Sequence, residues 1–288
     1  MSIHEFSSYY NEKLLAALKL RENSNWIDSF HFTESNRDFR FNKKEYNFDL
    51  THDAIDYHKL NGTMRFQRAH LRPTKSWRVL RRVPLDPWRN DEIQRNYAIK
   101  KFTPNKDDIL ILSDIDEIID SRFSEELIQY VNKYGITTIK LHYTLYYFNL
   151  FSKNWVGPPD YSYRVFLMSG EYFNRNSVNS NLLRKAGERG DLVETVKCFP
   201  EYAGFHHSWL GDEKFLLAKL AAYPHAQYEH DESIYGESGA PDVEKLKEFL
   251  IAGKSVYGPS HKLELRPEIP LLESVESERN LMFKDLFL

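Results

Sequence analysis

Two carboxylates two residues apart, Asp114 and Asp116, follow four aliphatic residues, Ile109-Leu110-Ile111-Leu112, with Ser113 between. A short aliphatic run bounded by Asp107-Asp108 and Ser113-Asp114 reads as a strand buried on both faces, as in a parallel sheet. The loop at the carboxyl end of such a strand is where open α/β sheets place ligands. Hard oxygen donors there suit Mn2+ or Mg2+, and such a cation neutralises a diphosphate. A solvated acidic turn ahead of the next helix is the plainer alternative. A second group is Gly204-Phe205-His206-His207-Ser208-Trp209-Leu210-Gly211-Asp212-Glu213, with His225 further on. A histidine and a carboxylate at a helix start supply a metal ligand and a general base. Against that, Asp212 suits an N-cap, Glu213 a first-turn charge and the histidines a satisfied core. A third group is basic: Arg72, Lys75, Arg78, Arg81, Arg82 and Arg89, followed by Glu92, Arg95 and Asn96. On a helix the last three share a face and can hold phosphate or orient the acidic loop, although most of the arginines fit a solvated face.

The elements that must position these groups follow from pattern. Asn11 to Arg21 reads as a helix capped by Asn11, with Leu14, Leu15 and Leu18 as its apolar stripe. Trp26 to Phe32 alternates as a half-buried strand does, and Ser76 to Val83 is a further strand candidate. Asp86 as cap and Pro87 at the first helical position start a helix running to about Lys101. Ser124 to Lys133 is a helix closed by Gly135. Ile136 to Phe151 reads as one or two strands, Tyr163 to Met168 as another, and Asp212 to Tyr223 as a helix stopped by Pro224. Residues 242–253 and 276–287 look helical. Strand and helix alternate in the first half and strands dominate the middle, which predicts an α/β core with a mixed sheet.

Composition narrows the function classes. The 288 residues carry 39 basic and 42 acidic side chains, a net charge of −3, which excludes a globally basic nucleic-acid binder. Aromatics make up 15% of the chain, which suits stacking on sugars or an aromatic-rich core equally. Cys198 is the sole cysteine, so neither an intramolecular disulfide nor a cysteine-based zinc site can form. No apolar run approaches the roughly 20 residues of a membrane span, and the N-terminus lacks a basic segment followed by an apolar one. The expectation is a soluble cytoplasmic protein, for which the formal glycosylation acceptor Asn61-Gly62-Thr63 carries no meaning.

The combination of motifs resembles glycosyltransferase family 17, the family of the β-1,4-N-acetylglucosaminyltransferases that add the bisecting residue to N-glycans. Residues 9–22 (YYNEKLLAALKLRE) are similar to the family's opening strand-to-helix segment, and 26–48 to its next strand, Glu-Ser turn and Lys-x-Phe region. Residues 89–99 (RNDEIQRNYAI) resemble its Asn-Glu-x-x-Gln-Arg-Asn helix. Residues 107–118 (DDILILSDIDEI), the most specific piece, are close to its Asp-Val-Asp-Glu-Ile signature. Residues 204–211 (GFHHSWLG) with Lys219 and His225 correspond to its Gly-Trp-His-x-Ser segment, with Phe205 in place of the tryptophan, and 266–272 echo its late Leu-Pro motif.

The resemblance implies one domain over 1–288 with a nucleotide-sugar transferase type A (GT-A) fold, a mixed, mostly parallel central sheet flanked by helices. Residues 1–135 would form the nucleotide-sugar half and 136–288 the acceptor half. It implies a metal-dependent, inverting transfer from a nucleotide-sugar donor, UDP-linked and N-acetylglucosamine-like, to a glycan or glycolipid acceptor. Asp114, Asp116, His206 and His225 would hold Mn2+ or Mg2+. Asn11, Glu34, Arg95, Asp114 and Asp116 would bind the donor. Glu213, with Asp212 second, would be the base, and Trp209 would stack on the acceptor sugar. The alternatives are a metal-dependent phosphohydrolase with Asp114 as nucleophile, and a carbohydrate-binding protein without catalysis.

Overall fold

A computed structural model describes residues 1–38, 42–62, 66–69, 81–84, 87–152, 164–192, 194–211, 215–216, 242–255, 262–266, 268 and 270–287; of 66–69, 81–84 and 87–90 it gives the backbone course alone. In chain order the elements are β1 (Ile3–Tyr9), α1 (Lys13–Asn23), β2 (Ser29–Ser35), β3 (Ile55–Leu60), β4 (Phe66–Ala69), β5 (Arg81–Pro84), α2 (Pro87–Tyr97) and β6 (Ile109–Leu112). Then come β7 (Glu117–Ile119), α3 (Ser124–Tyr134), β8 (Ile136–Leu145), β9 (Leu150–Ser152), β10 (Phe166–Ser169), α4 (Gly170–Arg175) and α5 (Ser180–Glu188). β11 (Lys197–Ser208), α6 (Val243–Ile251), β12 (Leu263–Leu265) and α7 (Glu273–Glu278) complete the described set.

A mixed ten-stranded sheet runs in the order β12-β9-β8-β10-β6-β1-β2-β3, with β11 pairing β8 and β7 beside that path. β3, β2, β1 and β6 are parallel, β10 is antiparallel to both β6 and β8, and β11 is parallel to β8. β4 and β5 form a separate antiparallel ribbon. The aliphatic run is buried on both faces as its composition predicts, Ile109 and Ile111 entering one core cluster and Leu110 and Leu112 another. The first cluster packs Leu15 and Leu18 of α1, Leu127 and Val131 of α3 and Val275 of α7 on one face. On the other face lie Phe6, Ile99 and Met168, with Tyr172 of α4 and Leu183 of α5 packed against them.

Several local expectations shift. Asn11 does not cap α1: the N-cap is Glu12, without a side-chain cap bond, because its carboxylate turns back to accept from the backbone N–H of Tyr10 and Asn11 at 3.0 and 3.1 Å. The strand placed at Trp26 begins at Ser29, since the N–H groups of Trp26 and Ile27 still bond Asn23 in the turn that ends α1. The C-terminal helix starts earlier and ends sooner than 276–287, because Glu22 anchors its first turn through the N–H and hydroxyl of Ser274. α4, α5 and the long β11 are additions to the sequence reading. Gly135 closes α3 at φ 77°, a left-handed position that glycine adopts without strain. Residues 76–80, Asp86, Tyr163 and, apart from 215–216, the helix expected over 212–223 lie outside the described residues.

Candidate active site

The chain order reverses between β1 and β6, and the segments leaving their carboxyl ends carry the candidate residues. Beneath the acidic loop lies Lys19 of α1, fully buried, opposite Glu5 of β1. Its ammonium group donates to Glu5 Oε1 (2.5 Å), Ser113 Oγ (2.8 Å), and the carbonyls of Asp114 (3.0 Å) and Glu117 (2.8 Å). Two of these partners are main-chain atoms, so Lys19 fixes the course of the loop itself.

Above this anchor two arginines converge on the loop. Arg184 of α5 donates to both oxygens of Glu117 (2.7 and 2.8 Å) and reaches Asp114 Oδ2 at 2.7 Å. Arg95 of α2 meets Asp114 Oδ1 in an ion pair at 2.5 Å and donates to Asp91 Oδ2 at 2.8 Å. Burial raises the Glu117 carboxyl, but the Arg184 guanidinium overrides it and holds the group below the usual carboxylate range. Burial raises Asp114 further than Arg184 and Arg95 lower it. The neighbours of Arg95 position what surrounds it. Gln94 donates to the carbonyls of Tyr9 and Thr33, tying α2 to the ends of β1 and β2, while Asn96 accepts from Ser180 N–H at the start of α5. The expected single face of Glu92, Arg95 and Asn96 therefore divides: Glu92 and Asn96 turn to Asn179, and Arg95 turns to the acidic loop.

The histidine segment reaches the loop as a strand, not as a helix start. β11 pairs antiparallel with β7 so that His206 stands opposite Glu117, and the His207 N–H bonds the Asp116 carbonyl at 2.8 Å. Gly204 permits this pairing, since a Cβ there would lie 2.5 Å from the Ile118 carbonyl oxygen. His206 Nε2 is 3.4 Å from Asp116 Oδ2, and its Nδ1 is buried without a hydrogen-bond partner. Asp116, Glu117 and His206 bring one potential ligand atom each within 4.8 Å of one another. Just past His207, Trp209 (φ 57°) and Tyr146 (φ 67°) adopt left-handed backbone, and the Tyr146 N–H bonds the Ser208 carbonyl. Such positions cost of order 1–3 kcal/mol each and gather at functional sites.

The structure thus brings Asp114, Asp116, Arg95 and His206 together. It adds Glu117, Arg184 and Lys19, which the sequence reading did not single out. Both oxygens of Asp114 face guanidinium groups, whereas Asp116 and His206 face each other. Asn11, just past β1, keeps a buried Oδ1 with no hydrogen-bond partner. Glu34 is fully buried and accepts from Tyr57 Oη at 2.6 Å, from the Asn47 and Phe48 N–H groups and from Lys44. Trp209 is 3% exposed among Tyr143, Tyr146 and Leu246, so it packs inside the protein rather than offering a face to a sugar. Asp212, Glu213 and His225 lie outside the described residues.

A mixed α/β sheet with a braced acidic loop at its strand-order reversal places the candidate site where open sheets of this kind carry ligands. Residues 6–187, well over half of the chain, match the family model for glycosyltransferase family 17, so the chain belongs to that family and is a glycosyltransferase. The matched stretch holds Asn11, Glu34, Arg95, Asp114, Asp116 and Arg184 and ends ahead of β11, which brings His206. No curated protein matches the chain. Among the described residues no helix is long and apolar enough to cross a membrane.

Proposed function

We propose that this glycosyltransferase moves an N-acetylglucosamine-like sugar from a UDP-linked donor to a glycan or glycolipid hydroxyl, with inversion and with Mn2+ or Mg2+. The observation that carries the reading is the meeting of Asp116 and His206 at the carboxyl end of the sheet. An acidic oxygen 3.4 Å from an imidazole nitrogen, Asp116 Oδ2 and His206 Nε2, fits a divalent cation. Asp116 and His206 would hold it, with His225 a further ligand; Glu117 and Asp114, already met by arginine, would shape the surroundings. When bound, such a cation supplies charge neutralisation at the departing diphosphate. Asn11 would accept a hydrogen bond from the donor through its unpartnered oxygen, and Arg95 would hold Asp114 in place.

Inversion needs a base on the far side of the anomeric carbon, and Glu213, with Asp212 second, would take the acceptor hydroxyl proton there. The parallel order β3-β2-β1-β6, with the site at its carboxyl end, supports the GT-A reading. Ligands drawn from both halves of the chain support a single domain spanning 1–288. Membership of the family sets aside the phosphohydrolase and the non-catalytic sugar binder. The test is UDP-sugar turnover with and without Mn2+ in wild type and Asp116→Ala. The variant should fold, since a loop carboxylate 15% exposed at its side chain is replaced by a smaller apolar residue, and should lose turnover. Unchanged Mn2+-dependent UDP binding by that variant in isothermal titration would overturn the assignment.

A further inference from the structure

A second group of ligand-type side chains lies on β2 and β3, away from the acidic loop. His31, Asp56 and His58 each bring a potential ligand atom within 4.8 Å of the others. The separations are 3.1 Å from His31 Nδ1 to His58 Nε2, 3.2 Å from His31 Nδ1 to Asp56 Oδ2 and 3.5 Å from His58 Nε2 to Asp56 Oδ2. Three atoms so spaced have a common point about 2.1 Å from each, about 1 Å out of their plane, which is the bond length imidazole and carboxylate make to zinc. A four-coordinate ion at that point would take its fourth ligand on the side away from the three atoms.

The surroundings orient the nitrogens as a metal site requires. The other ring nitrogen of His31 bonds Ser29 Oγ at 3.0 Å, and that hydroxyl meets His4 Nδ1 at 2.6 Å. A hydrogen bond on the far nitrogen fixes a ligating imidazole in its tautomer and rotation. Phe6 stacks on the His31 ring at 4.4 Å and leaves it little freedom to turn. Burial holds His31 and His58 below the ordinary histidine range, and Lys101 adds to this at His58. His31 pairs in register with Phe6 while Glu5 pairs with Phe30, so this group occupies the sheet face opposite Lys19.

We propose that His31, Asp56 and His58 form a second divalent-cation site of zinc-like preference, distinct from the acidic loop, which clamps the terminal strand β3 onto β2. Two imidazoles with one carboxylate, and no substrate diphosphate to add hard oxygens, select borderline metals over Mg2+ or Ca2+. The test is zinc titration of the full chain with Zn2+ as the sole ligand, in wild type, Asp116→Ala, His58→Ala and Asp56→Asn. Asp56 is 55% exposed at its side chain, so its isosteric variant will fold. Asp116→Ala should keep a site that His58→Ala and Asp56→Asn each lose, one equivalent per chain. At a hundredfold excess over Kd, zinc bound at this site should raise Tm by about 5 °C, a shift that wild type and Asp116→Ala keep and the other two lose. Equal zinc uptake by Asp56→Asn, His58→Ala and wild type would overturn the proposal. So would uptake lost in Asp116→Ala alone, which would assign all binding to the acidic loop. A chain that takes up no zinc at about 100 µM has no such site.

Discussion

Lys19→Met is the most informative single change, because Lys19 joins two effects that can be separated. The methionine keeps the aliphatic stem and removes the cation, leaving Glu5 charged, buried and, among the described residues, bonded by the Ser113 hydroxyl alone at 2.6 Å. Glu5 Oε2 is already buried without a hydrogen-bond partner, so the carboxylate has no second source of compensation on that side. Removing one member of a buried ion pair costs about 3–5 kcal/mol. For a chain of this size that lowers Tm by about 6–10 °C, within a total stability of roughly 5–15 kcal/mol. The double variant Lys19→Met/Glu5→Gln removes the orphaned charge and should recover most of the lost Tm. It cannot restore the bonds to the Asp114 and Glu117 carbonyls, so the loop stays untethered. Turnover should therefore remain down by about a hundredfold, the penalty of an ångström-scale misplacement of reacting groups. Calorimetry and UDP-sugar turnover on the same three proteins separate the effects. A single variant melting within about 1 °C of wild type, or a double variant with full turnover, would refute the reasoning.

Three further outcomes are expected. Glu213→Gln should lower kcat by about 10²–10⁴-fold with donor binding and Tm nearly unchanged, while Asp212→Asn costs less; kinetics showing the reverse would exchange their roles, and two active variants would move the base to Asp160 or Glu229. Arg184→Lys keeps the charge but cannot span both oxygens of Glu117 and Asp114 at once, so Tm should fall by several degrees with a larger fractional loss of turnover, read by melting and steady-state rates. Burial, reinforced by Arg266, lowers the His142 pKa to about 4, so the unfolded chain binds the proton first as pH falls below 6.5. The folded state then loses stability by at most about 1.4 kcal/mol per pH unit between 6.5 and 4, and denaturant titrations of His142→Gln should show a slope shallower by up to that amount.

What could be read in advance depended on whether the cause of a feature lay near it in the chain. Ile109–Leu112 was legible because burial on both faces leaves an unbroken aliphatic run, and the acidic pair was legible because it follows that run directly. The leucine stripe of α1 was equally plain. Lys19 was not, since a lysine beside that stripe reads as solvated until Ser113 and Glu117 arrive beneath it. Arg184 was hidden by an amphipathic pattern that points the other way: it lies on the buried face of α5 with Ser180, Asn181 and Gly187 while Leu182 is exposed, and its bidentate grip on Glu117 marks it. β11 did leave a signal. Ala203, Phe205 and His207 share one face, with Phe205 and His207 stacked at 5.2 Å, but every residue from Ala203 to Ser208 is buried and register shifts before Tyr202 and Phe205 break the pattern upstream. The Asp116–His206 meeting depends on that strand, so residue types predicted its members and only topology predicts their approach.

The double pairing of β11 has a consequence for the order in which this chain can fold. Joining Lys19 to the Glu117 carbonyl closes a loop of 98 residues, and β11 must then return to lie along β7 and β8 together. Contacts of such separation form late, because the entropy of closing the loop is lost before any pairing is gained. Until β11 arrives, β8 carries an open edge from Thr137 to Leu145 and β7 lacks its partner along Glu117–Ile119. Unpaired edges of that kind recruit strands from other molecules. A chain cut after residue 187, where the family match ends, would keep those edges permanently, and aggregation would be its expected fate.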